Sequence, residues 1–115
     1  MKRGEVYWAD LEPRSGAEQR GHRPVVIVSR DALNRIEEWA SVIIVPLSTS
    51  ARQAGRSLTS VPVPRGVAGL GHSSVALCHQ VSTIDRRKVG RRIGTLPDDL
   101  VVAVDAGLMV ALDLR

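Results

Sequence analysis

A chain of 115 residues, 43% of them hydrophobic, is the size of one domain spanning 1–115 and can bury roughly two-thirds of its unfolded surface around one core. Its single cysteine excludes an internal disulfide framework. No apolar run approaches the eighteen or so residues of a membrane span, and the start MKRGEVYWAD lacks a signal-peptide block, so a soluble, cytoplasmic protein is expected. The net charge of +4 is uneven: fifteen basic and eight acidic residues precede Asp98, against one and four from there on, so a polyanion would dock on the earlier part.

In chain order, Gly4–Asp10 alternates like a half-buried strand, with Val6 and Trp8 on one face and Glu5 and Tyr7 on the other. The loop Leu11–Arg23 is longer than most connections, itself a hint of function. It belongs to the stretch SGAEQRGHRPVVIVSR, residues 15–30, in which Glu18, Gln19, Arg20, His22 and Arg23 crowd together before an apolar run. Pro24 pushes Arg23 toward an extended conformation, making it the last loop residue before a strand. A guanidinium anchored there can clamp a phosphate or carboxylate, because its planar fork bonds two oxygens. A structural ion pair with an acid such as Glu18 is an equally open account.

The run PVVIVS reads as a central strand, and Asp31 as the cap of a one- or two-turn helix over ALNRIEEW, with Leu33, Ile36 and Trp39 at helical spacing. Ser41–Leu47 is a second buried strand with Pro46 at its end or at an edge. Ser48, Thr49 and Ser50 then open a polar loop ending at Arg56. Leu58–Val63 carries Pro62 and is followed by Pro64, the pattern of an edge strand. A turn-rich segment leads to a strand over Ser74–Gln80, whose Cys78 is expected to be buried. A short turn over Asp85–Lys88 and a last strand over Gly90–Leu96 follow. Pro97–Leu114 is the clearest helix, with Asp98 and Asp99 at its positive end and an apolar stripe of Leu100, Val101, Val104, Leu108, Ala111 and Leu112. Val102, Met109 and Val110 lie off that stripe, where a second copy of the chain or the monomer itself could cover them. The sum is a mainly β fold with helices (α+β), a small, strongly curved antiparallel sheet or barrel closed by a helix.

The chemistry is narrowed by what is missing. His22, His72 and His79 are far apart in sequence and the paired cysteines of zinc sites are absent, so no metal or other cofactor is expected, although the fold could still assemble a histidine cluster. There is no glycine-rich phosphate loop, no GxSxG elbow and no convincing carboxylate pair. What remains is phosphate-compatible: Arg23 at one strand entrance, Ser48 and Thr49 at another strand exit, and acid or imidazole groups in the first loop. If adjacent strands bring Arg23 and Ser48 together, they could cradle one phosphodiester without metal. A loop hydroxyl bonding its own backbone is the blander account of Ser48, and spacing alone favours it. Three aromatics, Tyr7, Trp8 and Trp39, are too few for a broad base-stacking platform.

The strings RGEVYWADLEP, SGAEQRGHRPVVIVS, VIIVPLST, GHSSVALCHQVSTIDRRKVG and IGTLPDDLVVAVDAGL, in that order, resemble the MazF/PemK family of toxin endoribonucleases from about Lys2 to the end. The resemblance implies a small SH3-like β-barrel, a two-fold homodimer, and metal-free cleavage of single-stranded RNA that leaves 2′,3′-cyclic phosphate and 5′-hydroxyl ends. It also implies a cognate antitoxin whose disordered acidic tail covers the RNA groove. Carried over by residue, Arg23 stabilises the pentacoordinate phosphate, Ser48 supplies the hydroxyl that many members take from Thr, and Glu18 accepts the 2′-hydroxyl proton or orients Arg23. Gln19, Arg20, His22, Thr49 and His79 are the expected RNA contacts. The chain departs from a plasmid-borne branch at Ala17, Leu77 and His79; His79 could be a replacement acid/base group or a core histidine, and its apolar strand favours the core. Two rival readings are a toxin resembling the gyrase poison CcdB and a relative that binds RNA without cutting it.

Overall fold

The computed structural model describes residues 1–13, 15–16, 18–50 and 58–114. Seven strands form one sheet among the described residues: β1 (Glu5–Asp10), β2 (His22–Ile27), β3 (Ser41–Ser48), β4 (Ser60–Val63), β5 (Ser74–Leu77), β6 (Ser82–Asp85) and β7 (Val89–Thr95). A one-turn helix α1 (Asp31–Asn34) follows β2, and α2 (Asp98–Leu112) follows β7. The hydrogen-bonded path runs β4-β5-β3-β2-β1-β7, with β6 also on β3, and every pairing is antiparallel. No helix among the described residues is long and apolar enough to cross a membrane.

Alternation along the central strands builds two cores. Val26, Val45 and Leu47 join Val6, Cys78, Leu96 and Val104 in one cluster, beneath α2. Val25, Ile27, Val42 and Ile44 join Ala9, Leu11 and Ile84 in the other. Successive side chains of a strand point to opposite faces, so a β-branched run such as PVVIVS fills both sides at once and must lie inside the sheet. The path does place β2 between β1 and β3, and β4, with its Pro62, at an edge. Burying Val104 fully contributes about 1.5–3 kcal/mol to holding α2 on its cluster.

The strand path is open: its end strands β4 and β7 form no ladder with each other. The turn after β4 instead presses backbone to backbone on β7. A Cβ at Gly69 would lie 2.5 Å from the Ile93 carbonyl oxygen, and one at Gly94 would strike the Ala68 carbonyl. Only glycine permits that approach.

Several expectations are corrected. Arg23 lies inside β2, paired with Ala9, and is not the last loop residue; Ser48 is the last residue of β3 rather than the start of a loop. The expected loop end at Arg56 lies outside the described residues. Pro46 is buried within β3, at the point where that strand exchanges β6 for β5 as its neighbour, so its missing donor interrupts neither ladder. The helix after Asp31 stops at Asn34, and its cap residue is Arg30. Asp31 Oδ1 accepts instead from the Arg3 amide (2.7 Å). Arg86 takes the carbonyls of Asn34 (3.1 Å), Ile36 (3.4 Å) and Trp39 (2.9 Å), acceptors that a longer helix would have used, and Ile36 and Trp39 are exposed. The strand from Ser74 ends at Leu77; Cys78–Gln80 turn, and a separate strand, β6, follows.

Candidate functional site

The registers bring the first site together. β2 pairs with β3 through Val25–Pro46, Val26–Val45 and Ile27–Ile44. Continued by two residues, the same register sets Arg23 across from Ser48, on the sheet face shared by Val25 and Pro46. Arg23 donates through Nε to the Arg20 carbonyl at 2.9 Å, which fixes the guanidinium plane; its terminal amino groups have no partner among the described residues. Ser48 is 4% exposed, and its Oγ accepts from the Ser50 amide at 3.1 Å. That bond occupies a lone pair and leaves the hydroxyl proton to donate elsewhere. The bond to its own backbone is therefore present, and it orients the group without consuming it.

The first loop is tied across the molecule: the Gln19 amide donates to Gln80 Oε1 at 2.8 Å, while Gln19's own Oε1 is buried without a hydrogen-bond partner among the described residues. Arg20 Nε meets Glu12 at 3.3 Å, and the exposed Glu18 takes the Ser15 hydroxyl at 3.4 Å. His79 is exposed in the turn after β5, with Nδ1 3.5 Å from Thr59 Oγ1. It is not a core histidine: β5 ends at Leu77, and in the turn that follows Cys78 faces the core while His79 is exposed.

A second feature adjoins this site. A cleft of roughly 420 Å³ is walled by Trp8, His22, Arg23, Pro24, Thr49, Ser74, Arg91, Ile93 and the turn Gly69–His72. Thus His22 and Thr49 share a cleft with Arg23, whereas Ser48, Glu18, Gln19, Arg20 and His79 do not line it. Trp8, His72 and Arg91 were not anticipated. Trp8 faces Pro24 across β1 and β2, and its ring lies 5.1 Å from that of His22 at 31°. Arg91 sits one residue before Arg92, which bridges to Glu5 at 3.1 Å, so alternation along β7 separates a paired arginine from one with no ion pair among the described residues. The run RKVGRR carries the charge openly, but only the pairing with β1 separates the roles of its members.

Glu5 is buried at the base of β1. Burial alone would raise its pKa, but the Lys2 amide (2.6 Å), the Tyr7 hydroxyl (3.0 Å) and Arg92 outweigh that and hold it below the usual carboxylate range. The same burial, with Glu5 as acceptor, pushes the Tyr7 phenol up. Among the described residues, no three His, Cys, Asp or Glu side chains gather as metal ligands.

The chain is 37% identical over 114 residues to Endoribonuclease EndoA of Bacillus subtilis (strain 168), covering 99% of this chain and 96% of the relative. Mycobacterium tuberculosis toxin MazF-mt6 superposes with a TM-score of 0.79 at 29% identity, over 96% of this chain and 98% of that one. A mycobacterial endoribonuclease solved in complex with its cognate antitoxin shares the fold, with a TM-score of 0.75 at 24% identity over 100% and 95% of the two chains. Residues 2–112 match the family described as PemK-like, MazF-like toxins of type II toxin–antitoxin systems, and the chain belongs to that family.

Proposed function

We propose that this protein is a toxin endoribonuclease that cuts single-stranded RNA without a metal ion, leaving 2′,3′-cyclic phosphate and 5′-hydroxyl ends, and that a cognate antitoxin with an acidic tail neutralises it. The observation that carries the reading is the β2–β3 register, which, continued two residues past Val25–Pro46, sets Arg23 across from Ser48 in a member of this toxin family.

The nucleophile is supplied by the RNA. The 2′-hydroxyl oxygen gives up its proton to a base as it attacks the neighbouring phosphorus, the bond to the 5′-oxygen breaks and that oxygen takes up a proton, and negative charge accumulates on the phosphoryl oxygens between the two events. Arg23 meets that charge with its two terminal amino groups, and the Ser48 hydroxyl donates to the same group, so the protein acts by alignment and charge stabilisation. Glu18, exposed on the first loop, is the carboxylate of the reading and accepts the 2′-hydroxyl proton or orients Arg23. Gln19, Arg20, His22, Thr49 and His79 contact flanking nucleotides. The closed SH3-like barrel and the two-fold dimer belong to the same reading: the Ala68–Gly94 contact draws the sheet ends together, and Val102, Met109 and Val110 on α2 offer apolar surface for a second copy.

The test is to incubate the purified protein with a long mixed-sequence RNA in excess EDTA and sequence the ends. Cyclic-phosphate ends at a recurring sequence are expected. Intact RNA would reject the reading, and RNA retained on a gel without cleavage would make the protein a binding module.

A further inference from the structure

Resting on that reading, we infer that the cleft between Trp8, His72 and Arg91 is a nucleotide subsite, in which Arg91 and His72 hold an RNA phosphate flanking the scissile one and the Trp8–His22 ring pair stacks its base. Nothing in the reaction at Arg23 and Ser48 requires this cleft. Its described walls carry two arginines and two histidines and no carboxylate, although the protein has twelve acidic residues. An acid-free cavity of this kind selects an anion.

Three features narrow the anion. Arg91 and Arg23 come from β7 and β2, on either side of β1, so their spacing is set by the sheet rather than by flexible loops. His72 is held by the Ser74 hydroxyl, which donates to its carbonyl at 3.0 Å. The tilted Trp8–His22 pair sits in the same wall, giving a flat π-face beside cationic groups, the combination that recognises a single-stranded nucleotide. A carboxylate-rich peptide would use the arginines and leave the ring pair idle. Arg23 and Thr49, the residue after Ser48, both wall the cleft, so it adjoins the proposed scissile site.

The experiment compares wild type, Arg91→Ala and His72→Ala on a short RNA made uncleavable by a 2′-deoxy sugar at the cut site, and on the cleavable RNA. Affinity should fall about tenfold in each variant, the expected loss of one charge-assisted contact. The slope of log affinity against log salt should shrink by about 0.7 in Arg91→Ala, as for one phosphate lost on a single strand. On cleavable RNA the loss should appear in KM rather than in kcat, the reverse of a change at Arg23. Trp8→Ala should weaken binding without altering the salt slope. Unchanged RNA affinity and slope in both Arg91→Ala and His72→Ala would overturn the inference while leaving wild-type cleavage, and so the proposed activity, intact. Loss of binding to an Asp/Glu-rich peptide with RNA affinity preserved would overturn it too, as would a change in oligomeric state that alone accounts for the weaker binding. A wild type that cuts no RNA would remove both readings together.

Discussion

The backbone of Gly107 in α2 stands directly against the thiol of Cys78: a Cβ at that glycine would lie 2.7 Å from Sγ. The thiol in turn donates to the Val104 carbonyl at 3.6 Å, one helical turn earlier. The helix approaches the turn after β5 this closely because two small residues meet there.

Gly107→Ala should therefore destabilise the protein. Helix propensity alone would add about 1 kcal/mol, but overpacking a buried contact costs about 1–3 kcal/mol, and Cys78 is completely buried with no room to turn away. A lower denaturation midpoint is expected. Cys78→Ala combined with Gly107→Ala should recover most of the loss, and a double mutant no better than Gly107→Ala would refute the contact.

Burial pushes the Cys78 thiol up to about 11. At pH 8 the native protein should react with iodoacetamide far more slowly than the urea-unfolded chain, at a rate tracking unfolding. Rapid native labelling, read by mass spectrometry, would contradict the burial.

Arg87 holds the partly exposed Asp85 carboxyl down to about 2, from an ordinary value of 3.8, through side-chain and amide hydrogen bonds (3.0 and 2.8 Å). A depressed folded pKa means stability that is present above about pH 4 and lost as pH falls toward 2. Asp85→Asn should flatten the melting temperature against pH across that window. A curve as steep as that of wild type would assign the acid sensitivity to Glu5 and Asp31, whose pKa values are also lowered.

Arg23→Ala should fold normally, since its only hydrogen bond described is to the Arg20 carbonyl, yet lose cleavage by about 10²-fold or more. Arg23→Lys keeps the charge without the fork and should recover only part of the rate. Activity and circular dichroism measured together decide between a lost site and a lost fold.

Ser48→Ala should act on both quantities. It removes a buried acceptor from the Ser50 amide, costing about 1 kcal/mol, and a donor to the phosphate, lowering kcat by about 10²-fold. Ser48→Thr restores the oxygen and should restore the rate. Thr49→Ala, at an exposed position, should leave the melting temperature unchanged; equal rate losses in Ser48→Ala and Thr49→Ala would reassign the hydroxyl.

The central strands and the terminal helix were legible because their signals are local: a β-branched run can only be interior, prolines mark an edge, and Asp98 and Asp99 open a helix. Arg23 and Ser48 were legible as chemical types, but their opposition depends on a register that no local pattern displays. Where a distant group competes, the local pattern misleads. Helix α1 is cut short by Arg86, fifty-two residues beyond the Asn34 carbonyl it takes, and His79 is exposed where its strand ends three residues earlier than its apolar neighbours suggest. Trp8, His72 and Arg91 come from three segments brought together only by the sheet.

Strand β3 sends Val42 and Ile44 into one cluster and Val45 and Leu47 into the other, then ends on Ser48. A slip of one residue along β3 would exchange the two sets and turn the terminal hydroxyl away from Arg23 in the same movement. Register and site therefore stand or fall together: insertions or deletions within 42–47 should cost structure and activity in one step.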